Sequence, residues 1–139
     1  MKLRRAVIDT NVLYAGLYSS SGASFQLLRR IESGDLVPVL STAILFEYEE
    51  ILRRNQKSLH LSSRGINDVL DGMCLHGEYQ KIHFIWRPQL QDPKDDHILE
   101  LAVAAGCVDV VTHNIKDFTT AGLFGVRVVT PKKLLGELK

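Results

Sequence analysis

The fold of this chain is decided by residues Ala6 to Val12, which read AVIDTNV. Three apolar residues precede Asp9, two further polar residues follow it, and apolar residues then resume. This pattern predicts a buried strand that ends at Asp9 and turns into a helix. In open α/β sheets, binding sites lie outside the carboxyl ends of the strands, which is where Asp9 would stand. A carboxylate in that position is costly unless hydrogen-bond donors, a basic side chain or a metal ion pair with it.

Composition limits the classes of protein that the chain can belong to. Its 139 residues, 45% of them hydrophobic, suit one domain that spans residues 1–139. The formal net charge of +1 gives no overall electrostatic case for nucleic-acid binding, which would have to depend on local basic clusters. Because the sequence lacks an apolar run of roughly 20 residues, we expect a cytoplasmic protein with no membrane partner. Cys74 and Cys107 have no metal-binding or redox spacing, and we expect both thiols to be reduced and packed.

Strand patterns and helix patterns alternate along the chain. Alternation of this kind predicts an α/β fold with a parallel sheet and helices on both faces. Pro38 lies within the second predicted strand and argues against a central place for it in the sheet. The predicted strands are 3–8, 36–40, 79–86, 108–112 and 126–129. The predicted helices are 12–17, 23–33, 42–54, 61–76, 131–138 and one that is opened by Asp92-Pro93 and ends near Gly106.

Further acidic residues occur on two predicted helices. Glu47 and Glu49 flank the two edges of an apolar arc on the helix that follows Ser41, so helical periodicity does not choose between them. Either could also be an ordinary exposed carboxylate. Asp95 heads an apolar stripe on the later helix, with Asp96 one step around it. An acid in a first helical turn can also serve only the helix dipole.

Asn114 follows the predicted strand 108–112 and should lie at the same sheet edge as Asp9. Its side chain supplies a neutral oxygen, although Asn is also common in turns. His97 and His113 flank this region and could move a proton, but each could equally be a hydrogen-bonded bystander. Three aromatic residues near the first turn could stack on a base, pack in the core or form a dimer contact: Tyr14, Tyr18 and Phe25.

Taken in order, these segments resemble the PIN-domain family, and in particular the toxin component of bacterial toxin–antitoxin systems. The segments are DTN at 9–11, Glu47 after Ser41-Thr42, DPKDD at 92–96 leading into ILELA at 98–102, and VTHNIKDF at 111–118. The resemblance implies an α/β/α sandwich with a mostly parallel central sheet. It also implies a metal-dependent endoribonuclease that hydrolyses RNA phosphodiester bonds, with a cognate antitoxin protein as partner.

Carried over residue by residue, the resemblance makes Asp9, Glu47 and Asp95 both the catalytic acids and the metal ligands. Thr10 and Asn11 take supporting roles. The family often has Asp at the position of Asn114, so one metal is expected rather than two, and Asp96 or Asp117 could compensate. Oxygen ligands of this kind suit Mg²⁺ or Mn²⁺.

Two other functions compete with the nuclease. One is a non-catalytic PIN-like module that binds nucleic acid or protein and has a degraded metal site, an alternative motivated by Asn114 and the low net charge. The other is a phosphotransfer enzyme with an Asp nucleophile, which Asn11 disfavours because such enzymes commonly have a second Asp at that position. A homodimer through the apolar residues of the middle helices also stays open, although core packing is their default role.

Overall fold

The computed structural model describes residues 3–82, 95–106 and 108–138. The strands in these ranges are β1 (Arg4–Ile8), β2 (Leu36–Leu40), β3 (Glu78–Tyr79), β4 (Asp109–Val111) and β5 (Val128–Val129). The helices are α1 (Thr10–Tyr18), α2 (Ala23–Ser33), α3 (Thr42–Arg54), α4 (Gln56–Leu59), α5 (Ser63–His76), α6 (Asp96–Ala104) and α7 (Pro131–Glu137). Two short 3₁₀ turns, Ile115–Phe118 and Ala121–Phe124, lie between β4 and β5.

The strands form one parallel sheet in the order β3-β2-β1-β4-β5. The central strand is β1, and its residues Ala6, Val7 and Ile8 are completely buried. Helix α6 packs against β1, β2 and β4, while α2 and α5 pack against β2. The predicted α/β/α architecture with a parallel sheet is therefore confirmed.

Local sequence signals set several element boundaries as predicted. Gly34 ends α2 in the left-handed conformation, with φ of 87°, which a residue without a Cβ adopts at little cost. The Ser41 hydroxyl caps α3 by accepting a hydrogen bond of 3.1 Å from the backbone N–H of Ile44. Pro131 begins α7 in the first turn, where its missing N–H is not needed. These short-range rules fix the helices that surround the sheet.

Several predictions about the elements are wrong. Residues Gln56–Leu59 form α4 where a break was expected, and α1 begins at Thr10 rather than at Val12. Strand β2 lies inside the sheet despite Pro38, because it pairs with β3 only at Val39 and Leu40, beyond the proline. Cys74 is exposed, since α5 turns Ile66 and Met73 toward the core and leaves Cys74 one step around the helix.

Some predictions fall where the structure gives no description. Cys107, the opening of α6 by Asp92-Pro93, and the predicted third strand beyond Ile82 lie outside the described residues. Within the described ranges, each helix is too short or too polar to cross a bilayer.

Candidate active site

Asp9 occupies the carboxyl end of the central strand, as the sequence predicts. It is only 6% exposed, and its backbone N–H donates a hydrogen bond of 2.9 Å to the Val111 carbonyl oxygen of β4. The carboxylate oxygen Oδ2 accepts hydrogen bonds from the Thr112 hydroxyl at 2.7 Å and from the Asn11 side-chain amide at 3.3 Å. The neighbouring strand thus fixes both the backbone and the side chain of Asp9.

The charge of Asp9 is only partly offset by these neighbours. Burial raises the pKa of Asp9 above its ordinary value, and the negative charge of Glu47 raises it further. Hydrogen bonds from Thr112 and from the backbone at Thr10 and Asn11 lower the pKa, but less than burial and Glu47 together raise it. Among the described residues, the side-chain donors to Asp9 are neutral, so no positive charge offsets the desolvation of the carboxylate beside another acid.

Glu47 comes from α3, and among the described residues Thr10 and His97 contact it at this site. The Thr10 hydroxyl donates a hydrogen bond to Oε2, and His97 Nε2 lies 2.9 Å from Oε1. The next residue, Tyr48, is fully buried and donates its hydroxyl to the Ile8 carbonyl oxygen at 2.5 Å. Because Tyr48 binds the residue before Asp9, α3 is anchored where Glu47 faces the end of β1.

The structure distinguishes Glu47 from Glu49, which periodicity did not. Glu49 instead pairs with Arg53 one helical turn later, at 2.8 Å. Tyr48 explains the difference, because a residue that must reach the β1 backbone fixes the rotation of α3 about its axis. That rotation turns Glu47 toward Thr10 and leaves Glu49 at the surface ion pair.

Asp95 and Glu47 line one groove, whose volume is about 690 Å³. Asp95 lies at the entrance of α6, before the first helical residue, and is half-buried. Asp96, which was expected one step away from the buried stripe, is only 7% exposed and is the more buried of the two. The other residues that line the groove are Thr10, Asn11, Tyr14, Glu50, Ile51, Arg54, Asn55 and His97.

The predicted supporting residues after β4 act through the backbone in this structure. The Asn114 backbone N–H donates a hydrogen bond of 3.0 Å to the Thr112 hydroxyl oxygen, and the Asn114 side chain is exposed. The Asp117 backbone N–H in turn donates to the Asn114 carbonyl oxygen at 3.0 Å. Their described contacts shape the turn that holds Thr112 against Asp9, but they do not bring either side chain to Asp9.

The two histidines have different surroundings. His97 contacts Glu47, and its Nδ1 atom is buried with no hydrogen-bond partner among the described residues. His113 Nε2 lies 2.9 Å from the Ser24 hydroxyl oxygen, and its backbone N–H donates to the Asn11 side-chain oxygen at 3.3 Å. His97 therefore belongs to the acidic groove, whereas His113 supports the turn beside it.

Sequence reasoning missed two groups that the geometry places at the centre of the site. Thr112 contacts Asp9 directly, and Tyr48 anchors α3 to β1. The sequence does contain an indication for Thr112. It follows the β-branched residues Val110 and Val111, which belong to a predicted strand that should lie beside the first one. Tyr48 belongs to the apolar arc of α3, and the sequence gives no indication of which group would accept a hydrogen bond from its hydroxyl.

The carboxylate oxygens at this site are ligands of the type that Mg²⁺ and Mn²⁺ prefer. In the part of the chain that is described, no three His, Cys, Asp or Glu side chains lie close enough together to hold a metal ion. Mg²⁺ does not require such a cage, because proteins usually bind it through one or two carboxylates while it keeps several waters. Asp9 has a raised pKa and, among the described residues, neutral side-chain donors, so an ion beside it would stabilise its charge.

A parallel α/β/α fold with buried and groove-lining acids at the carboxyl edge of its sheet defines a class of protein that suits metal-assisted chemistry on phosphate esters. The family model described as PIN domain matches residues 5–116. The chain therefore belongs to the PIN-domain family, as its motifs predicted. PIN domains are generally nucleases and typically use divalent metals.

A solved structure shares this fold. It is the crystal structure of VapBC2 from Rickettsia felis bound to a DNA fragment from their promoter. The match has 14% sequence identity and a TM-score of 0.62, and it covers 91% of this chain and 98% of the other. Comparison with curated proteins by sequence gave no match.

Proposed function

We propose that this protein is a metal-dependent endoribonuclease that hydrolyses RNA phosphodiester bonds and is the toxin component of a toxin–antitoxin pair. The observation that carries the proposal is Asp9, a buried carboxylate whose pKa is raised and which faces Glu47 at the end of the central strand. Acids held together in this way bind cations, because a cation removes their mutual repulsion and the cost of their desolvation.

Each acidic residue has a distinct role in the proposal. Asp9, Glu47 and Asp95 would hold Mg²⁺ or Mn²⁺ and form the catalytic set. When bound, such an ion activates water and neutralises charge on a phosphodiester group. The neutral donors Thr112 and Asn11 fix the orientation of Asp9.

The remaining side chains prepare the groove. Thr10 and His97 hold the two oxygens of Glu47, so this carboxylate is oriented before a substrate arrives. Asn114 and Asp117 support the turn that carries Thr112, and Asp96 is an acid in the first turn of α6, where the helix dipole favours a negative charge. Preorganisation of this kind saves the entropy of ordering the acids during the reaction.

The toxin assignment is supported by the family and by the fold shared with VapBC2. The VapBC2 structure contains a DNA fragment from the VapBC2 promoter. By analogy, we propose an antitoxin protein as the partner of this chain, and a homodimer as a further assembly. RNA as the substrate is likewise part of the proposal.

Cleavage of RNA in the presence of Mg²⁺ or Mn²⁺ tests the nuclease directly. Asp9→Asn keeps the size of the side chain and removes its charge. We expect cleavage to fall by more than about 100-fold, since even outer-shell partners of metal ligands cost 10- to 100-fold when they are removed. Asp35→Asn is the matched control, because Asp35 is an exposed acid that pairs with Arg30 at 3.1 Å.

The result separates the nuclease from the non-catalytic module. Equal cleavage by the wild type and Asp9→Asn would refute the roles given to the acids. RNA or protein binding without cleavage by the wild type, at any concentration of divalent ion, would favour the module. A loss confined to Asp9→Asn, with full activity in Asp35→Asn, is the outcome that supports the nuclease.

A further inference from the structure

Two tyrosines of α1 form a stacked pair that begins at the acidic groove. The ring centroids of Tyr14 and Tyr18 are 5.7 Å apart, and the ring planes differ by 17°. Tyr14 lines the groove together with Glu47 and Asp95, whereas Tyr18 is 62% exposed. We call these residues the Tyr14–Tyr18 pair. Tyr18 therefore contacts Tyr14 in an offset stack, and most of its side chain remains open to solvent.

The Tyr14–Tyr18 pair extends along α1, away from the acids. Thr10, Tyr14 and Tyr18 recur every four residues and so share one side of the helix. With a helical rise of 1.5 Å per residue, Tyr14 lies about 6 Å and Tyr18 about 12 Å beyond Thr10 along the axis. Aromatic side chains thus continue from the acidic groove for about 12 Å along α1.

Core packing does not account for the position of Tyr18. Helix α1 meets the core through Val12, Leu13 and Gly16, which are buried. At Gly16, a Cβ atom would lie 2.6 Å from Leu28 Cδ1, so α2 packs closely against that side of α1. Tyr18 therefore lies away from the closest helix contact, whereas Tyr14 is half-buried, packs against the hydrophobic core and has its hydroxyl 3.4 Å from the Ser58 hydroxyl of α4.

Cationic side chains occur near the same surface. Arg54 lines the groove with Tyr14 and is exposed, and its guanidinium lies 3.4 Å from Glu50. Lys57 is exposed on α4, next to Ser58, which contacts Tyr14. Exposed pairs such as Arg54 with Glu50 are weak, so a phosphate can compete for the guanidinium.

We propose that the Tyr14–Tyr18 pair is a stacking platform for unpaired bases of a single-stranded RNA whose backbone passes through the acidic groove. A base stacks on the open face of Tyr18, and Arg54 contacts a backbone phosphate. Aromatic rings that stack on bases, together with cationic side chains that contact the backbone phosphates, are the usual way in which proteins bind single strands without reading their sequence. The identity of the substrate rests on the proposed function, and the platform would select unpaired over duplex RNA.

Binding of a short single-stranded RNA that carries 2-aminopurine tests this proposal without cleavage. The full chain is titrated in EDTA at low salt, and both the Kd and the quenching of 2-aminopurine fluorescence are recorded. Stacking on an aromatic side chain is worth about 1–3 kcal/mol per base, so we expect Tyr18→Leu to weaken binding roughly 5- to 150-fold and to remove the quenching. A duplex of the same sequence should bind more weakly to the wild type and lose little with Tyr18→Leu.

Two variants control for other effects of the substitution. Tyr14→Phe keeps the ring and removes the hydroxyl, so it should retain the quenching. Tyr79→Leu removes a tyrosine that is 58% exposed at the sheet edge and should leave the Kd unchanged. Circular dichroism and urea titration show that each variant is folded.

Several results would overturn the platform. These are an unchanged Kd and unchanged quenching with Tyr18→Leu, no binding of RNA by the wild type, or an equal loss with Tyr79→Leu. A change of oligomeric state in Tyr18→Leu with unaltered RNA binding would instead assign the surface to a second copy of the chain. If the wild type cleaves RNA but Tyr18→Leu binds it equally well, the nuclease is supported and the platform is refuted. If Tyr18→Leu weakens binding but the wild type does not cleave RNA, the platform is supported and the nuclease is refuted.

Discussion

Tyr48→Phe is expected to destabilise the fold and to loosen the site at the same time. The Tyr48 ring is fully buried, and its hydroxyl donates a hydrogen bond of 2.5 Å to the Ile8 carbonyl oxygen. Burial, and then the negative charges of Asp9 and Glu47, raise the pKa of Tyr48 well above its ordinary value of 10.0. The hydroxyl therefore stays protonated and remains a donor at every pH at which the protein would be studied.

The size of the effect follows from what the substitution leaves behind. Phe fills the same space, so no cavity forms, but the buried carbonyl oxygen of Ile8 loses this donor. A buried group deprived of its partner costs about 1–3 kcal/mol. For a chain of this length, each kcal/mol corresponds to about 4 °C in Tm. We therefore expect Tm to fall by roughly 4–12 °C.

Urea unfolding and differential scanning calorimetry measure this change. Tyr79→Phe is the matched control, because the Tyr79 hydroxyl lies 2.7 Å from the Thr42 hydroxyl in an exposed pair. Its loss should cost less than about 0.5 kcal/mol, as is usual for surface substitutions. If Tyr48→Phe and Tyr79→Phe lower the free energy of unfolding equally, the proposed anchoring of α3 to β1 is refuted.

Three further substitutions test the energetics of the site and of the contact between α5 and β2. Asp9→Asn should raise the free energy of unfolding at pH 7, since a folded-state pKa above the ordinary 3.8 means that ionisation of Asp9 destabilises the fold as pH rises. In urea titrations the gain should disappear below about pH 4, where Asp9 is protonated in both states, and a gain independent of pH would contradict this. Gly77→Ala should cost about 1–3 kcal/mol, because a Cβ atom there would lie 2.5 Å from the Met73 carbonyl oxygen and 2.6 Å from Leu40 Cδ1. Gly72→Ala, which meets nothing within 4 Å inside α5, should instead add about 0.5–1 kcal/mol, and equal effects in calorimetry would refute the packing argument.

The central strand and its catalytic candidate could be predicted from the sequence. Apolar residues up to Ile8 followed by Asp9 and two polar residues have few interpretations in an alternating α/β chain, and the PIN-domain motifs followed in order. Helix caps such as Gly34 and Ser41 were also predictable, because they depend on residues within one turn. These features need only local rules.

The relation between elements could not be predicted in the same way. The rotation of α3 that selects Glu47 over Glu49 depends on Tyr48 reaching the β1 backbone, which is a contact across 40 residues of sequence. The burial of Asp96 rather than Asp95 depends on where α6 begins, and its apolar stripe did not reveal that residue. Thr112 acquires its role only through the register that pairs Ile8 with Val111.

In the proposed mechanism a divalent cation offsets the buried charge of Asp9. Diffraction from crystals soaked in Mn²⁺, collected at the manganese absorption edge, would locate that ion. We expect an anomalous peak beside Asp9 that is shared with Asp95 or Glu47 in the wild type and is missing in Asp9→Asn. A groove without a peak at millimolar Mn²⁺, or a peak that persists unchanged in Asp9→Asn, would contradict this mechanism.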